Sequence, residues 1–131
     1  MAEPEPSMDA WLAEAKADPQ AENCGMYLCH NGVVRITPKA QVRKGETNLP
    51  PVDRIEFSFD APGVEAAIAK TKQMDGIFYV RVWLNSGTVA VGDSIMYVLI
   101  GGDIRPHVID ALQTLVGTIK SELVEEKEIY A

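Results

Sequence analysis

Residues 94–120 read SIMYVLIGGDIRPHVIDALQTLVGTIK, and this stretch decides the fold of the chain. Its first part is almost continuously apolar, which is typical of a central strand buried on both faces. Pro106 is expected to open a long helix, because proline is tolerated at a first helical position. Apolar side chains then recur at helical spacing, at Val108, Ile109, Leu112, Leu115, Val116 and Ile119.

The remaining segments predict an irregular alternation of strands and helices. We expect a helix over residues 8–17 with Ser7 as its N-cap, a second helix over 61–74, and strands over 53–60, 76–85 and 87–93. Residues 24–37 read as one strand, or as two strands meeting at Asn31 and Gly32. Residues 38–51 read as a polar loop, poorly ordered without a partner, and 123–131 as a tail.

These elements indicate an α+β fold, an α/β sandwich in which helices pack against one mixed, mostly antiparallel sheet. A chain of 131 residues suits a single domain over 1–131, with residues 1–6 as a frayed terminus. The acidic start carries no targeting signal and no apolar run is long enough to span a bilayer, so a cytoplasmic location is expected.

The net charge of the chain limits the classes of molecule that it can bind. A formal net charge of -7 argues against nucleic acid and anionic membranes, but a local basic pocket can still hold a small anion. Cys24 and Cys29 are expected to be free thiols, because a reducing compartment disfavours a disulfide and the two histidines give no zinc-ligand spacing. We therefore predict no metal site and no cofactor.

Basic residues at the ends of the long helix are the candidate site residues. Arg105 at the helix N-terminus suits a phosphate or another anion, although a local pair with Asp103 explains it equally well. His107 has no obvious carboxylate partner, so a surface or capping histidine is expected there. The ordinary interpretation of Lys120, Lys127 and Arg35 is a helix-end charge or a solvated charge.

The order of these motifs resembles the large, catalytic subunit of molybdopterin synthase. That family carries a strand, a G-x-L-x-x-G-D/E turn, a second apolar strand and an arginine that opens a long helix ending in Leu-Lys. A second functional lysine follows seven residues later, and a G-x-V-R motif lies upstream. The matching residues here are 87–93, 94–100, Arg105, Ile119, Lys120, Lys127 and Gly32 to Arg35. The family's two His-Arg pairs and its apolar segment before the second lysine are replaced by Leu84-Asn85, Ile104-Arg105 and Val124-Glu125-Glu126.

The resemblance implies a reaction and its partners. The large subunit binds a cyclic pyranopterin monophosphate and accepts sulfur from a small ubiquitin-like carrier whose Gly-Gly terminus bears a thiocarboxylate. Two transfers form the dithiolene of molybdopterin. Arg35, Arg105, Lys120 and Lys127 would then bind substrate, with Lys120 and Lys127 in catalytic roles.

The length of the long helix adds an expectation about assembly. At about 1.5 Å per residue, Arg105 and Lys120 are about 22 Å apart, too far for one small substrate in one chain. We therefore expect a homodimer in which Arg105 of one subunit reaches the pocket that holds Arg35, Lys120 and Lys127 of the other. This homodimer is expected within a heterotetramer that includes two carriers. The alternative is a non-catalytic protein of the same fold that binds the carrier as a scaffold, which the lost histidines and the glutamates beside Lys127 favour.

Overall fold

The structure, a computed structural model, describes residues 3–45, 47 and 49–131. Its helices are α1 (Met8–Lys16), α2 (Lys39–Arg43), α3 (Ala61–Lys72) and α4 (Arg105–Thr118), with a 3-10 turn at Ala21–Asn23 and a π-helical turn at Ile119–Leu123. Its strands are β1 (Met26–Val33), β2 (Val52–Phe59), β3 (Ile77–Leu84), β4 (Gly87–Ala90), β5 (Ser94–Gly102) and β6 (Val124–Tyr130). The predicted α+β class is confirmed.

The strands form two three-stranded sheets, where the sequence predicts one. The orders are β1-β5-β3 and β4-β2-β6, and every pairing is antiparallel. The second sheet depends on β6, which lies in the segment predicted to be a tail. Its residues alternate between half-buried and exposed positions along β2, so its charged side chains do not prevent strand pairing.

Strand β5 occupies the centre of the first sheet, as its apolar run predicts. Val98, Leu99 and Ile100 are all fully buried. Val98 and Ile100 belong to the main core, which α3, α4 and both sheets enclose, whereas Leu99 packs into a smaller aromatic cluster beside α1. The strand is therefore covered on both faces, and this accounts for its lack of polar alternation.

The N-terminal segment lies against the outer face of the first sheet. Ser7 caps α1 by accepting a hydrogen bond from the amide of Ala10 at 3.2 Å, as predicted. Residues 1 and 2 of the predicted frayed terminus lie outside the described residues. Residues 3–6 depart from that prediction, because Trp83 Nε1 donates to the carbonyl of Glu3 at 2.9 Å and the Tyr97 hydroxyl donates to Glu5 at 2.5 Å.

Strand β2 and helix α3 follow their predicted patterns. Ile55 and Phe57 of β2 are buried and point into the main core, while Phe59 packs against it. Helix α3 begins after Asp60, whose carboxylate accepts a hydrogen bond from the amide of Gly63 at 3.2 Å. Its buried face includes Val64, as the helical spacing predicts.

Residues 24–37 form one of their two predicted alternatives, and the described part of 38–51 includes one short helix. Residues 26–33 form one strand with an irregularity between Gly32 and Val33, not a hairpin at Asn31 and Gly32. The predicted polar loop contains the short helix α2, and its residues Glu46 and Asn48 lie outside the described residues. Among the helices of the described residues, none is long and apolar enough to cross a membrane.

Candidate anion-binding site

A small cleft of about 60 Å³ lies where the end of β1 meets α2, the π-helical turn and β6. Its walls combine a few apolar side chains from both sheets with an unusual concentration of charge. Among the described residues, four cations and two carboxylates line it: Arg35, Lys39, Arg43, Lys120, Glu126 and Glu128. In a chain with a net charge of -7, this is a local excess of positive charge that suits an anionic ligand.

Lys120 reaches the cleft because the long helix changes form at its end. Helix α4 passes into the π-helical turn, in which the neighbouring Ile119 is fully buried and anchors the turn. Such turns insert an extra residue into the helical ladder and occur often at functional sites. The Lys120 side chain is 32% exposed, and its Nζ donates to Oε1 of Glu126 at 2.9 Å.

Glu126 is the most buried charged group of the cleft, with a side chain only 7% exposed. Its two carboxylate oxygens contact different lysines: Oε1 contacts Lys120, and Oε2 lies 2.5 Å from Nζ of Lys39. Burial opposes ionisation of this carboxyl, but the hydrogen bonds from Lys39 and Lys120 outweigh it and hold the pKa of Glu126 below its usual range.

Helix α2 is attached to β6 by one residue. The backbone amide of Lys39 donates to Oε2 of Glu128 at 3.0 Å, in addition to the contact of its side chain with Glu126. Arg43, in the last turn of α2, lines the same cleft. The sequence places Lys39 and Arg43 only in the predicted polar loop, because nothing local shows that this loop meets β6.

Two arginines of the cleft have no carboxylate partner within the described residues. Arg35 follows β1 and donates from Nε to the carbonyl of Thr37 at 3.1 Å, which holds the side chain beside its own segment. Within the described part of the chain, neither Arg35 nor Arg43 forms an ion pair. Their guanidinium groups therefore remain available for bidentate contact with an anion.

His30 of β1 is a further neighbour of Lys120 that sequence reasoning missed. Burial of the half-buried ring and the positive charge of Lys120 both lower the pKa of His30. The sequence does not indicate that His30 lies near Lys120, because only the packing of α4 against β1 brings the two residues together.

The structure brings Arg35 and Lys120 together but leaves Lys127 elsewhere. Lys127 lies opposite Glu56 in the pairing of β2 with β6, and its side chain is exposed. Because side chains alternate along a strand, it lies on the opposite face of β6 from Glu126. In one chain, Lys127 does not line the cleft that holds Lys120.

Arg105 lies at the first turn of α4, at the opposite end of that helix from the cleft. The predicted alternative of a local pair with Asp103 is wrong, because Asp103 instead contacts Nδ1 of His107 at 2.7 Å and accepts a hydrogen bond from the amide of Ile104 at 2.6 Å. His107 therefore has the carboxylate partner that the sequence did not reveal, and this contact holds the pKa of Asp103 below its usual range.

Fold and cleft together define an α+β protein with a basic cleft in an otherwise acidic chain. Residues 4–122 match the family model described as MoaE protein. The chain belongs to this family, which confirms the resemblance to the molybdopterin synthase large subunit and supports a role in molybdenum cofactor biosynthesis. No curated protein matches the sequence of the chain.

Solved structures with the same fold come from several bacteria. Molybdopterin cofactor biosynthesis protein E from Burkholderia multivorans has a TM-score of 0.71 at 18% identity, covering 97% of this chain and 83% of its own. Molybdopterin synthase from Staphylococcus aureus has a TM-score of 0.65 at 17% identity, with coverages of 84% and 77%. The complex of subunits 1 and 2 of molybdopterin-converting factor from Helicobacter pylori has a TM-score of 0.65 at 18% identity, with coverages of 95% and 80%. At these identities the likeness shows a shared fold.

Proposed function

We propose that the chain is the large, catalytic subunit of a molybdopterin synthase. It transfers sulfur from the thiocarboxylated C-terminus of a small ubiquitin-like carrier to a cyclic pyranopterin monophosphate, and two transfers form the dithiolene. The observation that carries this proposal is the convergence of Arg35, Lys39, Arg43 and Lys120 on one cleft in a member of the MoaE protein family.

The charges of the cleft match the two anionic groups that this reaction brings together. The pterin substrate carries a phosphate, and the carrier ends in a thiocarboxylate that becomes a carboxylate once its sulfur has left. Arg35 and Arg43 offer planar donors for the phosphate. Lys120 is the first candidate for proton transfer or for transient covalent attachment of the carrier's terminus.

Arg105 enters this proposal through a second subunit. Neither Arg105 nor Lys127 lines the cleft of its own chain, yet both occupy positions that the resemblance assigns to the substrate site. A homodimer with a two-fold axis would carry Arg105 of one subunit to the cleft of the other. The Helicobacter pylori structure is a complex of two different subunits, which supports a small-subunit partner for this chain. In our proposal, two large subunits and two carriers form a cytoplasmic heterotetramer.

A reconstituted reaction tests the proposal. The purified chain is incubated with a thiocarboxylated carrier and the cyclic pterin monophosphate, and the dithiolene product is measured. Product formation that depends on Lys120 supports the enzyme. Carrier binding without any product contradicts it.

The second candidate function is a non-catalytic scaffold that binds the carrier. The observation that favours it is the engagement of both Lys39 and Lys120 by Glu126, which leaves neither ammonium group without a counter-ion. On this alternative, the chain binds the carrier equally well with and without the thiocarboxylate sulfur, and the pterin does not alter that affinity.

A further inference from the structure

We propose that Glu126 is an internal competitor for the anion that binds in the cleft, and that ligand binding displaces its carboxylate from Lys39 and Lys120. This inference rests on the proposed function, because it assumes that the cleft binds an anionic group of the substrate or carrier. It adds a residue that sets the affinity of the site and is itself neither a ligand-binding nor a catalytic residue.

The contacts of Glu126 are those expected of a bound anion. Each carboxylate oxygen accepts from one ammonium group, at 2.9 Å for Lys120 and 2.5 Å for Lys39. Within the described residues, Glu126 is the only ion-pair partner of either lysine. An external anion that uses these lysines must therefore share them with Glu126 or replace it.

A ligand has two advantages over the internal carboxylate. It can also contact Arg35 and Arg43, which line the cleft and have no ion pair in the described part of the chain. The Glu126 carboxylate can also leave the two lysines while β6 stays paired with β2. Strand β6 lies at the edge of the sheet, in the order β4-β2-β6. Displacement then requires a side-chain movement and no separation of paired strands.

The same contact couples the cleft to α2. Lys39 connects this five-residue helix to β6 through its side chain to Glu126 and through its backbone amide to Glu128. Loss of the Glu126 contact leaves one of these two attachments. We therefore expect the amides of Val42 and Lys44, which bond to Pro38 and Ala40, to exchange faster when Glu126 is neutral and the cleft is empty.

Titration with inorganic phosphate tests the competition. Calorimetry at constant ionic strength compares the unaltered chain with Glu126→Gln and with Glu125→Gln, which removes the same charge on the opposite, exposed face of β6. We expect Glu126→Gln to bind phosphate about tenfold more tightly, whereas Glu125→Gln changes affinity less than about twofold. Equal or weaker binding by Glu126→Gln overturns the inference.

Hydrogen exchange supplies the second measurement. In Glu126→Gln without phosphate, the amides of Val42 and Lys44 should exchange faster than in the unaltered chain, and saturating phosphate should slow them again. Unchanged exchange in the variant overturns the coupling. If Glu126→Gln does not fold, as judged by circular dichroism, Glu126→Asp replaces it, because a shorter carboxylate cannot reach both lysines. It should also bind phosphate more tightly, and unchanged affinity contradicts the inference.

The outcomes separate this inference from the proposed function. If neither the unaltered chain nor Glu126→Gln binds phosphate, the cleft is not an anion site and both fail. If Glu126→Gln binds more tightly but the reconstituted reaction yields no dithiolene, the competition stands and the proposed enzyme fails. If dithiolene forms but Glu126→Gln gains no affinity, only the competition is wrong.

Discussion

Lys120 and Lys127 face different sides of the structure although only seven residues separate them. Lys120 lines the basic cleft, whereas Lys127 lies opposite Glu56 on the other face of β6. The intervening π-helical turn and the start of a strand produce this change of direction. The two lysines therefore do not form one site within a single chain.

Replacement of Lys120 by alanine should reduce dithiolene formation by about 100-fold or more, the usual range for loss of a positioned proton-transfer group. The fold should persist, because Lys39 still contacts Glu126 and the expected loss of unfolding free energy is about 1 kcal/mol. Lys70→Ala is the matched control, since Lys70 is exposed on α3 away from the cleft. Full activity of Lys120→Ala contradicts the catalytic assignment.

Mixing two inactive variants tests the shared site. After subunit exchange between Arg105→Ala and Lys120→Ala, half of the dimers are mixed and each has one intact site, so activity should recover to about a quarter of the original. A mixture of Arg105→Ala with the double variant, which carries both substitutions, should remain inactive. If mixed dimers form but activity does not return, each site is built within one chain.

The titration of His30 should report on the position of Lys120. The positive charge of Lys120 adds to burial in lowering the pKa of His30, so Lys120→Ala should raise that pKa towards 6.5 without restoring it fully. The ring signals of His30 in nuclear magnetic resonance spectra give the measurement. An unchanged His30 titration places Lys120 further away than the structure shows.

Acid should remove the stability that Glu126 contributes. Its pKa is lowered on folding from the usual 4.5, so its contribution is fully present above about pH 5 and is lost as pH falls through the folded value. Glu126→Gln should therefore destabilise the chain by about 1 kcal/mol at pH 7 and by much less at pH 3. Urea unfolding followed by circular dichroism measures this difference. In a Lys39→Gln background the difference should shrink, and a difference independent of pH contradicts the assignment.

Local sequence patterns predict most of the fold. The alternation in β2, the apolar run of β5 and the spacing of α4 each reflect which faces are buried, and burial depends on nearby residues. Strand β6 escaped prediction because Glu125, Glu126 and Lys127 make it look solvated. Its pairing with β2 depends on segments far apart in the chain, and no local pattern encodes that contact.

The candidate site also contains some residues that the sequence predicts and others that only the structure reveals. The resemblance to the family points to Arg35 and Lys120 as site residues, and the structure places both in one cleft. Lys39 contacts β6, and its partner Glu128 lies 89 positions away in the sequence. Only tertiary packing creates such a contact. The glutamates of β6 resemble a solvated charge run in the sequence, whereas one of them is almost completely buried.

The aromatic cluster beside α1 determines what an optical measurement can detect in this protein. The chain has two tryptophans, Trp11 and Trp83, and both are buried on the α1 side of the first sheet, beside Tyr97. The cleft lies across the main core and has no tryptophan in its wall. Intrinsic fluorescence therefore reports whether α1 remains seated on its sheet. Occupancy of the cleft needs a reporter introduced near α2 or β6.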